Sequence, residues 1–365
     1  MNVRILSAAM MIVLAGGRTM AADLTDNISL KGDVRYRHEM IDKQGSETRN
    51  RNRVRARIEV KAKVNDTLKA GIKLASGSDD PVSSNQTLDG AFGSKGINLD
   101  KAYFDWSPKP VTGVNIIGGK MGKPWIVVKD LVWDGDLNPE GIAVKYETGD
   151  GVKVMANAGG FWVEERKADD DTMLYAGQLA VGVKNGVDIT AGVGYYHFTE
   201  MEGRTTLADA EDSFGNSSVD VLDINGDVES LDYACDFQEL ECFVEACMKA
   251  GSLPVTLYGQ YVVNNEADSN DTGYLAGIKM GKAKNPGQVE VDYNYRELER
   301  DAVVGAFTDS DSFGGGTDGK GSKIAAKLKI AKHWDLAAAY FINDLGLSGS
   351  SKDYDRLQLD LKLKF

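Results

Sequence analysis

The sequence predicts an all-β fold, a transmembrane antiparallel β-barrel of sixteen strands with short periplasmic turns and long extracellular loops. The first supporting observation is the segment that ends at Phe365, in which apolar and polar residues alternate. Its apolar residues are Leu357, Leu359, Leu361 and Leu363, and its polar residues are Gln358, Asp360, Lys362 and Lys364. Alternation gives a strand one apolar and one polar face, which suits a barrel with lipid outside and water inside.

The same alternation recurs from Ile28 onward and divides the chain into sixteen strands. Representative apolar sets are Ile28, Leu30, Val34 and Tyr36; Val54, Ala56, Ile58 and Val60; Leu179, Val181 and Val183; and Ile324, Ala326, Leu328 and Ile330. A barrel of this size encloses an aqueous channel rather than a filled interior.

The connections between strands are the second observation, because short and long segments follow each other in strict turn. The short ones are 65–66, 107–110, 148–151, 185–186, 250–254, 282–287 and 331–335. The long ones are 40–50, 78–98, 122–139, 164–171, 200–232, 265–271, 299–321 and 344–353. This topology is that of bacterial outer-membrane barrels. A secreted β-sandwich or β-solenoid is the alternative, but it would not sort its connections into two length classes.

The N-terminus has the features of a cleaved signal peptide over residues 1–21, which leaves 22–365 as a single barrel domain. Arg4 supplies the positive start, 7–17 the apolar region and Thr19-Met20-Ala21 the small-residue cleavage site. The apolar region is shorter than the roughly 20 residues of a transmembrane helix. We therefore expect export to the outer membrane. The net charge of −13 argues against nucleic acid as a partner.

Cysteine usage and acidic loops give little indication of a cofactor or a metal. Cys242 and Cys247 have opposite parity on one strand, so they face opposite sides, and with Cys235 they form an odd set without CxxC spacing. The segment Asp223–Asp227 has oxygen-bearing side chains at alternate positions, but Val228 stands where a calcium loop needs glycine. A solvated acidic loop is the simpler interpretation.

Charged residues on the polar faces predict a pore with two unlike walls. A basic wall comes from the first two strands and the last: Lys31, Arg35, Arg37, Arg53, Arg55, Arg57, Lys61, Arg356 and Lys362. An acidic stretch lies opposite in strand order: Glu239, Glu241 and Glu245. The two walls would create a transverse field that biases ion passage. The alternative, that the charges pair and keep the interior wet, stays open.

The third long loop, 122–139, is too apolar for a loop in water. It contains Trp125 and Trp133, and its end carries Asp134 and Asp136, followed by Glu140. We expect it to fold inward, pack its aromatic rings on the wall and hold its carboxylates across from the arginines, which would constrict the pore. Packing on neighbouring loops or on another subunit is the alternative.

Two further expectations concern chemistry and flexibility. His38, His197 and His333 are scattered, and no nucleophile-elbow, HExxH or P-loop pattern occurs, so we do not expect an enzyme. The segments 309–311 and 314–316, rich in Asp and Gly, are predicted to be flexible surface loop.

The chain resembles a family of bacterial putative porins. The resemblance is carried by Gly119–Trp125, Leu131–Gly141, Tyr293–Glu299, Phe307–Asp311 and the ending Asp360–Phe365. It implies an outer-membrane barrel that passes small hydrophilic solutes and ions passively, with no cofactor. Barrels of this size commonly form homotrimers, and Phe365 fits the signal that barrel-insertion machinery reads. A channel selective for small anions (phosphate, carboxylates) and a barrel without transport, such as an adhesin, are the alternatives.

Overall fold

The computed structural model describes residues 27–365, so the predicted signal peptide lies outside the described residues. The described chain is almost entirely strand and loop, with two 3₁₀ turns at Gly305–Phe307 and Ser312–Gly314. Its strands are β1 (Ile28–Lys43), β2 (Arg49–Lys63), β3 (Leu68–Ser76), β4 (Gln86–Thr87), β5 (Ile97–Trp106), β6 (Val114–Lys120), β7 (Glu140–Thr148), β8 (Val152–Glu164), β9 (Thr172–Asn185), β10 (Val187–Phe198), β11 (Ser218–Leu222), β12 (Val228–Tyr233), β13 (Gln238–Ala250), β14 (Leu253–Asn264), β15 (Thr272–Gly281), β16 (Val289–Leu298), β17 (Gly319–Ala331), β18 (Trp334–Leu345) and β19 (Lys352–Lys364).

Sixteen of these strands form one closed antiparallel barrel, which confirms the predicted fold class and strand number. Neighbours along the chain pair with each other, and β1 closes the sheet by pairing with both β2 and β19. The other three strands lie in loops: β4 adds two residues to the edge of β2, and β11 and β12 form a separate hairpin. Closure leaves none of the sixteen barrel strands with a free edge, which a bilayer would not tolerate. Within residues 27–365, no helix has the length and apolar character to cross a membrane.

The connections follow the predicted alternation. Seven turns join strand pairs at one end, and eight loops, named L1 to L8, join them at the other: 44–48, 77–96, 121–139, 165–171, 199–237, 265–271, 299–318 and 346–351. The predicted bounds of the first loop, 40–50, are wrong, because β1 continues to Lys43 and β2 begins at Arg49. β1 pairs with β2 as far as Ile41 and Arg49, and its last residues pair with β19.

The two faces of the strands differ as the alternation requires. On β1, Val34 and Tyr36 point outward and are 41% and 47% exposed, whereas Arg35 and Arg37 point inward and are 7% and 6% exposed. Apolar side chains can stay exposed outside because hydrocarbon, not water, surrounds them. The apolar core of the molecule lies inside the barrel, where parts of L3, L5 and L7 pack against the wall.

The barrel closes at a seam between Gly32 of β1 and Phe365. The main chains of these two residues exchange two hydrogen bonds of 3.0 Å each. A Cβ at Gly32 would lie 2.4 Å from Cζ of Phe365 and 2.7 Å from the main-chain oxygen of Arg57. Only glycine therefore lets the Phe365 ring lie flat across β1.

We expect Gly32→Ala to destabilise the barrel by about 1–3 kcal/mol, because the added methyl group overpacks the seam. Gly177→Ala is the matched control: Gly177 also lies on a strand, but its nearest neighbour would be 4.0 Å from the new Cβ. Urea unfolding of both variants, followed by tryptophan fluorescence, measures the difference. Equal free energies of unfolding for the two variants would contradict the proposed role of the seam.

Candidate permeation pathway

The predicted basic wall forms on the inner faces of β1, β2 and β19. Odd-numbered positions of β1 and β2 point inward, so their arginines lie side by side and need counter-ions. Arg37 binds Asp360 through two hydrogen bonds of 2.6 and 2.9 Å. Arg55 and Arg57 share Asp33, at 2.7 and 2.8 Å. The wall thus neutralises part of its own charge through acidic residues on the same strands.

The remaining predicted members of the wall lie nearby. Arg356 of β19 is buried and binds Glu39 of β1 at 2.5 Å. Lys31 and Lys362 line the periplasmic end of the wall. Lys61 is half exposed there and pairs with Glu59 at 3.4 Å. The structure therefore brings the basic residues from three strands together along one side of the interior.

L3 crosses the interior and packs its aromatic rings on the opposite wall. The rings of Trp125 and Trp133 lie 4.9 Å apart, and each contacts Tyr196 of β10, at 5.5 and 4.9 Å between ring centroids. Trp125 also meets Phe161 of β8 edge to face. Gln178 of β9 anchors the loop further, because its side-chain amide both donates to and accepts from the main chain of Ile126. One face of L3 is therefore bound to β8, β9 and β10.

The three acidic residues predicted to face the arginines from L3 take different positions. Asp136 binds Arg57 at 2.9 Å. Asp134 is buried and accepts hydrogen bonds from main-chain N–H groups of Asp136 and Ser310. Glu140 is the first residue of β7, is exposed, and pairs with Lys120 at 2.5 Å. Among these three side chains, Asp136 alone reaches the basic wall.

L7 is a second inward-folded loop, and its predicted flexible surface character is wrong. Asp311 lies between Arg356, at 2.8 Å, and Arg37, at 3.5 Å. Burial opposes ionisation of Asp311, but the two guanidinium groups hold its pKa well below its ordinary value. Asp309 binds the buried Arg296 of β16 at 3.0 Å. Acid and glycine content misled the prediction, because arginines of three barrel strands neutralise these acids inside the barrel.

A local signal could have revealed L7. The run 303–307 is apolar, as is the tryptophan-rich part of L3, and Val303 and Val304 are almost fully buried. Phe307 stacks on Trp133 of L3. The hydroxyl of Thr308 donates to the main-chain oxygen of Leu131 at 2.6 Å. L3 and L7 therefore pack as one unit in the interior.

L2 and L5 complete this unit. Ser84 of L2 donates its hydroxyl to Asp136 at 2.8 Å, and Asn85 of L2 accepts a hydrogen bond from Arg35. Asn216 of L5 donates to the main-chain oxygen atoms of Arg300 and Val303. Four loops are thus linked to each other and to the wall, although the sequence directed attention to L3 alone.

The predicted acidic wall lies on β13 but is largely covered. Glu239 is buried and accepts a hydrogen bond from the main-chain N–H of Val304 in L7. Glu241 is buried and accepts hydrogen bonds from Tyr196 and Gln260. Glu245 lies further toward the periplasm and is partly exposed. Glu239 and Glu241 therefore support the inward loops, while Glu245 is more accessible.

Water-accessible space remains along the basic wall on both sides of the linked loops. The periplasmic cavity measures about 710 Å³, and its walls carry seven Lys or Arg residues against two Asp or Glu: Lys31, Arg55, Arg57, Lys73, Lys101, Lys362 and Lys364 against Asp33 and Glu59. The extracellular cavity measures about 610 Å³. Its walls carry five Lys or Arg residues (Lys43, Arg49, Arg51, Arg53 and Arg356) and three Asp or Glu residues (Glu47, Asp80 and Asp212). A smaller cavity of about 250 Å³ lies along the wall at Arg35 and Arg37.

The cysteines and the acidic loop segment lie apart from this path. All three cysteines are unpaired, and Cys242 points outward while Cys247 points inward, as their parity predicts. In L5, the carboxylate of Asp223 accepts main-chain hydrogen bonds from Asn225 and Asp227, which lower its pKa. Over residues 27–365, no group of three His, Cys, Asp or Glu residues is placed to hold a metal ion.

Comparisons with known proteins agree with this architecture. A family model described as "Putative porin" matches residues 42–222 and 229–365. Among solved structures, OprB of Pseudomonas putida has a TM-score of 0.63 and 11% sequence identity, over 96% of this chain and 97% of that one. A triple mutant of the Rhodopseudomonas blastica porin has a TM-score of 0.52 and 14% identity, over 93% and 100%. No curated protein sequence matches the chain.

The fold and the charged interior define an outer-membrane channel. The chain belongs to the putative porin family. OmpT, an outer membrane protein of Vibrio cholerae, has the same fold; its mutant lacking loop L8 has a TM-score of 0.54 and 13% identity, over 93% of this chain and 100% of that one.

Asp134 of L3 accepts a hydrogen bond from the main-chain N–H of Ser310 in L7, and its carboxyl group is buried at this contact. Burial, followed by the nearby carboxylate of Asp309, raises the pKa of Asp134 to about 8. The proton is thus bound more tightly in the folded state than at the ordinary pKa of 3.8. The stabilisation that this provides is present at low pH and is lost as the pH rises toward 8.

We expect the thermal unfolding temperature to fall as the pH rises from about 4 to about 8, and Asp134→Asn to reduce this fall. Asparagine carries no charge, and its single side-chain oxygen can still accept the hydrogen bond from the main-chain N–H of Asp136. The hydrogen bond from Ser310 to Oδ2 is lost at every pH, so its loss does not alter the pH dependence. Asp223→Asn in the exposed part of L5 is the control and should keep the wild-type pH dependence. The role of Asp134 is refuted if its variant and the control respond to pH alike.

Proposed function

We propose that the protein is a porin through which small hydrophilic solutes and ions diffuse passively along the basic wall. The observation that carries the proposal is the series of three cavities along β1, β2 and β19. Water is favoured there because the lining side chains are charged. The proposal includes no catalytic step.

We further propose that the loops narrow this path from the side opposite the arginines. L3 was expected to act alone, but the contacts of Asp136, Asp311 and Asn85 with the wall favour a constriction built from L3, L7 and L2 together. Positive groups on one side and carboxylates on the other create a transverse field across it.

A preference for small anions is the second candidate. It is favoured by the excess of Lys and Arg around the periplasmic cavity, where seven cations face two carboxylates. Fixed positive charge raises the local concentration of anions and excludes cations. Liposome swelling with neutral sugars, compared with saturable block by one anion, separates a general pore from a selective one. A protein that neither admits sugars into liposomes nor conducts ions would favour a barrel without transport.

We also propose a homotrimer in the outer membrane, inserted by machinery that reads the terminal Phe365. OmpT of Vibrio cholerae, which has the same fold, was solved in a trimer form. On this chain, His38 of β1 and Asn52 of β2 form a polar contact of 3.1 Å on the outward face. Polar side chains there are better placed against a neighbouring subunit than against hydrocarbon.

Neutralising the wall should shift ion preference toward cations. In a triple variant in which Arg53, Arg55 and Arg57 become Gln, three positive charges are lost while Asp33 keeps its negative charge. Reversal potentials in planar bilayers under a KCl gradient measure the shift, and Lys109→Gln in a periplasmic turn is the control. An unchanged reversal potential would mean that these side chains do not line the path.

The mass of the purified protein in detergent tests the proposed homotrimer. We expect light scattering to give three chains per particle, and His38→Leu with Asn52→Leu to weaken the assembly. Tyr261→Leu, on the outward face of β14, is the control and should leave the mass unchanged. Particles of one chain for the wild type would contradict the trimer without affecting the channel proposal.

A further inference from the structure

Four arginines of β1 and β2 form a square on the basic wall. Arg35 lies directly across from Arg55, and Arg37 lies directly across from Arg53. Like charges in directly opposed positions destabilise a sheet unless counter-ions separate them. The counter-ions of the four guanidinium groups therefore indicate where this part of the wall could bind a further anion.

One diagonal of the square is neutralised. Arg37 is bound by both oxygen atoms of Asp360, at 2.6 and 2.9 Å. Arg55 is bound by Asp33 at 2.7 Å. Each of these two guanidinium groups has a tight carboxylate partner on a neighbouring strand, so neither needs a further anion.

The other diagonal, Arg35 and Arg53, lacks such partners. The nearest carboxylate to Arg35 is Asp360, at 3.6 Å, which Arg37 already binds. No carboxylate of residues 27–365 forms an ion pair within 4.0 Å of Arg53. The Nε atoms of both Arg35 and Arg53 are buried and have no hydrogen-bond partner in the described chain. Arg35 is 7% exposed, so bulk water does not compensate its charge.

The tip of L2 occupies the space between these two arginines. Oδ1 of Asn85 accepts a hydrogen bond from Arg35. The main-chain oxygen of Asn85 accepts a hydrogen bond of 3.4 Å from Arg53. The hydroxyl of Ser83 accepts a further weak one, of 3.5 Å, from Arg53. Three neutral oxygens thus stand where a carboxylate or phosphate would bind the guanidinium groups more strongly.

We propose that Arg35 and Arg53, with Ser83 and Asn85 of L2, form a binding site for a small oxyanion, in which Asn85 is displaced when the anion binds. This inference rests on the proposed channel function and names its substrate class. Arg53 lines the extracellular cavity and Arg35 the small cavity next to Arg37, so the site lies where one cavity gives way to the other. An anion would pass from Arg53 to Arg35 as it crosses the constriction.

Single-channel recording with inorganic phosphate tests the site. In planar bilayers in KCl, added phosphate should block the wild-type current in a saturable way. Replacing both arginines by Gln should raise the half-blocking concentration by about tenfold or more, the loss of one or more charged hydrogen bonds. Lys63→Gln, an exposed charge at the periplasmic end of β2, is the control and should leave block within about twofold.

Two further variants separate a shaped site from general positive charge. Asn85→Asp keeps both arginines but supplies a resident carboxylate, so it should raise the half-blocking concentration by about as much as the double variant does. Arg53→Lys keeps the charge but loses the planar fork of donors, and it should also weaken block. Circular dichroism and heat-dependent migration on gels check that each variant forms the barrel.

The outcomes are distinct. Wild-type conductance without phosphate block would overturn the site but not the channel. Equal block in the wild type and the double variant would also overturn it, as would an equal loss of block in Lys63→Gln. No conductance from the wild type would overturn the proposed function itself.

Discussion

The pairing of buried arginines on one wall with carboxylates from several elements is the interaction on which the interior depends. A buried charge without a partner costs several kcal/mol, so the wall requires acids within reach. Asp33 and Asp360 supply part of that charge from the barrel itself. Asp136 of L3 and Asp311 of L7 supply more from loops, and this draws both loops into the barrel.

The linked loops have two unlike faces, one aromatic and one polar. Their aromatic face is bound to β8 and β10 through Phe161 and Tyr196. Their polar face meets the arginines, where ion pairs and cavities alternate. The sheet alone would enclose a wide pore, so the loops account for the narrow, charged path that is proposed here to govern which solutes pass.

Particular residues show how far sequence reasoning reached. Alternation placed Arg35 inside and Tyr36 outside correctly, because strand geometry fixes which side each position faces. The lengths of the segments between strands gave the order of turns and loops. It could not place Asp311, which is 274 residues from Arg37, since such a contact exists only after the barrel has closed. Glu239 likewise faces inward, but its cover by L7 depends on the path of that loop.

The sequence by itself determined a closed barrel of sixteen strands with an apolar exterior and a basic wall. Period-two alternation and turn chemistry are local properties, and a bilayer admits few other solutions. The tertiary structure decided which loops enter the interior and which arginines are left without carboxylates. Those outcomes depend on distances between residues far apart in the chain, such as Arg53 and Asn85, and no local pattern encodes them.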